Sequence, residues 1–126
     1  MIYYKTPKYK NTKIEYDSIN FDSILEFNVY KELKLQKIDF VLKPKYLLVP
    51  KFKLNGKTFR EINYIADFDL KIDNKIYTID AKGLETQVFK IKAKMFAKEY
   101  TREIITIKSI RELREKISKI KNVEIY

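Results

Sequence analysis

The chain has 126 residues, 45% of them hydrophobic, with 27 Lys and Arg against 17 Asp and Glu and a formal net charge of +10. That length suits a single domain over residues 1–126, and the apolar fraction excludes a disordered chain. There is no Cys and no His. Their absence excludes disulfides, zinc–thiolate sites, thiol nucleophiles, Ser-His-Asp and Cys-His machinery, and any nuclease with a histidine base, so catalysis here falls to carboxylates, lysine, tyrosine or a metal.

No run approaches a membrane span and no apolar N-terminal segment marks secretion, so a cytoplasmic chain without membrane contact is expected. The positive excess points to a polyanionic partner, most simply nucleic acid. Lysines far outnumber arginines, so AT-rich coding is the competing explanation of that charge.

Residues 1–13 (MIYYKTPKYKNTK) are basic and tyrosine-rich and show no periodicity. They read as an extended or flexible arm, with Lys8, Lys10 and Lys13 available to a phosphate backbone. Residues 14–21 predict a short hairpin turning at Asp17-Ser18. Ser23 opens a helix over 23–37, in which Ile24, Phe27, Val29, Tyr30 and Leu33 recur at helical spacing. Ser23-x-x-Glu26 has the form of a capping box, so Glu26 on local grounds is a cap partner.

Residues 38–54 predict one or two strands broken by Pro44 and Pro50. Asn55-Gly56 is a turn, and a strand runs from about 58 through Tyr64 into Asp67. Gly83 permits a sharp exit before Thr86, which caps a helix over 87–100 with Phe89, Ala93, Phe96 and Tyr100 as its apolar stripe. Lys90, Lys94 and Lys98 form a cationic ridge, read either as a phosphate-binding face or as an ordinary solvated one. A strand is expected over 103–108, a helix capped by Ser109 up to about 121, and a last short strand over 122–126.

The stretch 67–82, DFDLKIDNKIYTIDAK, predicts a β-hairpin turning at Asp73-Asn74. With those two residues as the loop, Phe68 faces Ile79, Leu70 faces Tyr77 and Ala66 faces Ala81, forming an apolar side with Ile72. The other side carries Asp67, Asp69, Lys71, Thr78, Asp80 and Lys82. This register sets Asp67 opposite Asp80 as a non-hydrogen-bonded pair, with Cα atoms roughly 4.5 Å apart. Facing carboxylates repel, and a divalent cation between them reverses that effect. Lys82 follows Asp80 on the same face. Two acids and a lysine at one spot are what metal-assisted phosphodiester hydrolysis needs. The alternative is a solvated polar strand face.

The order hairpin, helix, antiparallel strands, helix, strand, helix, with Glu26, Asp67 and Asp80-x-Lys82 at these positions, resembles the PD-(D/E)XK nuclease superfamily. It resembles in particular small phage-encoded members similar to Holliday-junction resolvases. The likeness is carried by Phe21-Asp22-Ser23-Ile24-Leu25-Glu26, Pro50-Lys51-Phe52, Tyr64-Ile65-Ala66-Asp67-Phe68 and Asp80-Ala81-Lys82-Gly83, and it covers about residues 8–108. Ala66 stands where the family pattern has proline.

The resemblance implies an α/β (α+β) fold with a restriction-endonuclease-like core, a central mixed β-sheet flanked by helices. It implies Mg²⁺ or Mn²⁺ held by Asp67, Asp80 and Glu26, and Lys82 orienting the attacking water. No small-molecule cofactor is expected. The expected activity is structure-selective DNA cleavage by a homodimer during phage recombination, in the bacterial host cytoplasm. The rivals are a nicking or transposon-end-type nuclease subunit directed by a partner protein, and a non-catalytic nucleic-acid-binding module.

Overall fold

The computed structural model describes residues 3–5, as backbone only, and residues 13–122. Two short strands, β1 (Tyr3–Lys5) and β2 (Lys13–Tyr16), pair antiparallel, so part of the expected N-terminal arm is strand. Lys8 and Lys10 lie outside the described residues. β3 (Ile19–Phe21) completes the predicted hairpin with β2. Its loop residues Asp17 and Ser18 both adopt positive φ, 53° and 62°, as a two-residue hairpin turn requires.

Helix α1 (Ile24–Leu35) starts at Ser23, whose Oγ accepts the backbone N–H of Glu26 at 3.1 Å. It ends in a Schellman motif without glycine. Lys37 has φ of 56°, and the Ile38 N–H reaches back to the Leu33 carbonyl at 3.0 Å. Ile38 itself is buried, which supplies the hydrophobic contact that accompanies such a cap.

The region with two prolines forms three strands, β4 (Asp39–Leu42), β5 (Lys45–Val49) and β6 (Phe52–Leu54). Pro44 and Pro50 mark the two breaks. β6 turns at Asn55-Gly56 into β7 (Lys57–Phe59), and β8 (Ile62–Ile65) returns alongside β5. The single strand expected over 58–67 is therefore two, interrupted at Arg60-Glu61. β9 (Phe68–Ile72) and β10 (Lys75–Ala81) form the central hairpin in the predicted register, Ile79 facing Phe68 and Tyr77 facing Leu70. Asp73 and Asn74 have φ of 51° and 66°.

Helix α2 (Gln87–Tyr100) is capped by Thr86, whose Oγ1 accepts the Phe89 N–H. β11 (Ile105–Ile107) lies parallel to β10. Helix α3 (Ile110–Ile120) follows Ser109, whose Oγ accepts the Glu112 N–H, while the Glu112 carboxylate accepts the Lys108 N–H at 2.9 Å. Ser109→Ala removes this cap at a cost of about 1 kcal/mol, readable as a lower urea midpoint with unchanged slope. Asn122 sits in the turn after α3, and residues 123–126, where a last strand is expected, lie outside the described residues.

The central sheet has the order β11-β10-β9-β4 and is mixed. Its apolar side, Phe68, Leu70, Ile72 and Ile79, packs with Phe27, Val29 and Leu33 of α1 and Leu113 and Ile117 of α3. A second cluster joins Leu48 and Tyr64 of the β5–β8 ribbon to Phe89 and Phe96 of α2. Ala66 belongs to this second cluster. It was expected on the apolar side of the hairpin, but the chain bends at Asp67 and turns it away.

The second cluster covers the polar side of the hairpin. Asp69, Thr78 and Asp80 are buried, so the alternative of a solvated polar strand face does not hold for them. Asp69 accepts from Tyr46 and Thr78, and Arg102 donates to the Tyr46 and Thr78 hydroxyls. Buried polar groups need such partners, and the ribbon and α2 bring them. Among the described residues no helix is long and apolar enough to cross a membrane.

Candidate metal centre

Three acids meet at one end of the central sheet. Asp80 lies near the end of β10, 2% exposed. Asp67 lies in the bend between β8 and β9, one step past the last paired residues, Phe68 and Ile79. Its carboxylate continues the ladder in place of the backbone, accepting the Ala81 N–H at 2.8 Å. Glu26, in the first turn of α1, is 5% exposed.

The Glu26 side chain does not close a capping box. Its carboxylate accepts from Lys43 Nζ at 2.6 Å. The local reading of Glu26 as a cap partner is corrected here: Ser23 caps through the Glu26 backbone N–H, which leaves the carboxylate free for the cluster.

Lys43 is the residue that the sequence patterns did not reveal. Its ammonium lies 2.6 Å from Glu26, 3.2 Å from Asp67 and 3.7 Å from Asp22. The backbone aims it there. Lys43 has φ of 50°, and its N–H bonds the Asp67 carbonyl while the Ala66 N–H bonds the Pro44 carbonyl, both at 3.0 Å. The bend between β4 and β5 is thus tied to the bend that carries Asp67. Pro44 signalled a break, but nothing local signalled the direction of the lysine.

Asp80 has its own partners. Tyr64 donates its phenol hydrogen to Asp80 Oδ2, and Lys82 Nζ stands 3.9 Å from the same oxygen. Lys82 also lies over the Phe89 ring, 4.7 Å from its centre, so α2 fixes the lysine as well as the tyrosine. Lys82 opens onto a groove lined by Lys45, Asn63, Ile65, Val88 and Lys92.

Burial raises Glu26 to about 7, and Asp67 beside it adds to the rise while Lys43 opposes it. Burial raises Asp80 to about 7 as well, again reinforced by Asp67 and opposed by Tyr64 and Lys82. Asp67 goes the other way. Burial works against its charge, but hydrogen bonds from the Asp80 and Glu26 carboxyls, the Ala81 N–H and the Lys43 charge hold it below the usual carboxylate range. Near neutral pH, partial protonation of Glu26 and Asp80 and the Lys43 ammonium therefore do part of the work of holding the three acids together.

Among the described residues, no group of three or more His, Cys, Asp or Glu stands ready-made as a metal site. Glu26 is shared between Lys43 and Asp67. The donor set still fits a hard divalent ion: three carboxylates and no nitrogen or sulfur donor, the chemistry Mg²⁺ and Mn²⁺ favour. Asp67 touches both Asp80 and Glu26 and so links the three possible donors.

An acid whose pKa is raised on folding contributes stability at low pH that is lost as pH climbs from its unfolded value, about 4, to its folded value. The window for Glu26 and Asp80 is therefore about pH 4 to 7, while Asp67 acts only below it. Without metal, the chain should lose several kcal/mol across that window, up to about 3 to 4 kcal/mol for each carboxyl, and Mg²⁺ should raise the melting temperature more at pH 8 than at pH 5. Thermal unfolding with chelator and with Mg²⁺ checks both. A profile no steeper than that of Asp80→Asn would contradict the assignment.

The nucleic-acid-binding lysines are only partly brought to the site. Lys13 begins β2 and is exposed. Lys90, Lys94 and Lys98 are exposed on α2, and at 100° per residue they lie on the flank away from Lys92. Lys92 and Lys45 are the lysines beside Lys82.

The sequence model of the family described as Protein of unknown function (DUF1064) matches residues 6–117, and the chain belongs to that family. No curated protein and no solved structure matches it.

Proposed function

Starting from membership of the DUF1064 family, we propose that the chain is a Mg²⁺- or Mn²⁺-dependent endodeoxyribonuclease with a restriction-endonuclease-like core. Its preferred substrate would be branched DNA such as a four-way junction, cut by a homodimer in phage recombination. One observation carries this reading: Glu26, Asp67 and Asp80 converge beside Lys82 although they come from a helix, a bend and a strand. Three acids this close, two of them buried, are unfavourable for folding alone, which argues for a use.

Asp67 and Asp80 would hold the ion, with Glu26 as the third donor. The bound ion supplies charge stabilisation at phosphorus and a more acidic water. Lys82, braced by Asp80 and Phe89, orients the attacking water and holds charge near the scissile phosphate. Tyr64 fixes the Asp80 carboxylate by donating to one of its oxygens. Lys43 balances the charge of Glu26 and Asp67 while no ion is bound. Lys45 and Lys92 bind phosphates flanking the cut. No residue need form a covalent intermediate. The dimer belongs to the proposal because cutting two strands of a junction symmetrically takes two sites.

The test is cleavage of equal-length linear duplex, flap and four-way-junction DNA in parallel, with Mg²⁺, Mn²⁺ or chelator, together with the mass in solution. Metal-dependent cutting that favours the junction, by a dimer, is expected. Binding without cutting under every condition would overturn the enzyme in favour of a binding module. Cutting by a monomer with equal preference would overturn the resolvase assignment alone.

A further inference from the structure

The β6–β7 hairpin stands apart from the rest of the molecule. Every residue in its two strands is exposed, and it pairs with no other strand among those described. Its apolar side nevertheless carries Phe52, Leu54 and Phe59, which are 46%, 58% and 42% exposed. Phe52 and Phe59 face each other across the ladder and stack, with ring centres 4.8 Å apart and planes 7° from parallel. A lone two-stranded hairpin is marginal in water, and exposed aromatic rings on it call for an occupant.

We infer that this hairpin is a DNA-binding arm whose Phe52–Phe59 stack receives an unpaired or unstacked base, a reading that rests on the proposed nuclease function. The choice of occupant follows from charge. The stretch 50–61 has four cations, Lys51, Lys53, Lys57 and Arg60, and one anion, Glu61. A second copy of the chain docking here symmetrically would set this cationic patch against itself. A polyanion meets it favourably, and aromatic faces stack on bases of any sequence.

Position supports the same occupant. The arm is the outer end of the β5–β8 ribbon, whose inner end supplies Lys45, Asn63 and Ile65 to the groove at Lys82. The six residue steps from Phe59 to Ile65 span at most roughly 20 Å, so a strand seated at Lys82 reaches the arm within a few nucleotides. Bases in a regular duplex are already stacked on their neighbours. Bases at a branch point or a flap are not, so the arm favours branched DNA, a preference that charge alone does not create.

The experiment is fluorescence anisotropy of full-length chain on a labelled four-way junction and a matched linear duplex, with chelator to prevent cutting. It compares wild type, Phe52→Ala/Phe59→Ala and Lys53→Glu/Arg60→Glu, each checked by thermal unfolding. The aromatic variant should lose about tenfold in junction affinity and little on duplex, while the charge variant should lose affinity for both. Junction affinity unchanged in both variants overturns the arm, as does a dimer that becomes a monomer in the aromatic variant with affinity unchanged. Cleavage separates the two readings. If wild type cuts with metal but the variants bind as wild type does, the arm fails and the nuclease stands. If wild type cuts nothing yet the variants lose junction affinity as stated, the nuclease fails and the arm stands.

Discussion

Asp80→Asn and Asp67→Asn should each lower DNA cleavage by roughly 10³-fold or more, because a metal ligand lost at a phosphoryl-transfer site removes several kcal/mol of transition-state stabilisation. Asp80→Asn should be no less stable than wild type without metal, whereas Asp67→Asn should lose some stability, because the Ala81 N–H and the Lys43 ammonium favour the Asp67 carboxylate. Asp80 is buried with its carboxyl pushed up to about 7, so its charge is already disfavoured there. Asparagine keeps the shape and still accepts from Tyr64. Glu26→Gln should behave alike with a smaller loss, and its helix cap survives because Ser23 Oγ binds the residue 26 backbone N–H. Circular dichroism and a cleavage rate on the same sample check all three. An asparagine variant that cuts normally at saturating Mg²⁺ would remove that residue from the site.

Lys82→Ala should cost roughly 10²- to 10⁴-fold in rate, the range for losing a group that positions or activates water. An ammonium has no lone pair to give a metal, so metal affinity should stay. It should even rise slightly, since a cation 3.9 Å from Asp80 is gone. The fold tolerates the change because the side chain lies at the mouth of the groove. Cleavage rate against metal affinity, measured on the same variant, separates this outcome from a loss of fold or of the metal site. Lys82→Ala with weakened metal binding would mean that the lysine acts through Asp80 rather than on water.

Local chemistry made much of this molecule legible. Asp73-Asn74 with period-two alternation defined the register of the central hairpin, and with it the meeting of Asp67 and Asp80. Ser23, Thr86 and Ser109 marked helix starts that the structure keeps. What local patterns missed depends on contacts far apart in the chain. Alternation separates the polar side of β9–β10 from the apolar one, but it does not say that Tyr46, Tyr64 and Arg102 arrive to bury it. A lysine before a proline carries no mark that its ammonium will lie between Glu26 and Asp67. A period-four run of lysines on α2 reads as a binding ridge, while Lys92, the one that faces the groove, falls outside that run.

Calorimetric titration of Mn²⁺ into the wild type and Asp80→Asn, at pH 6.5 in two buffers of different ionisation enthalpy, tests most directly whether the acid cluster is a divalent-cation site. Wild type should bind with release of protons, because Glu26 and Asp80 must ionise to become ligands, and Asp80→Asn should bind far more weakly. No binding by wild type, or equal binding by both proteins, would contradict the account.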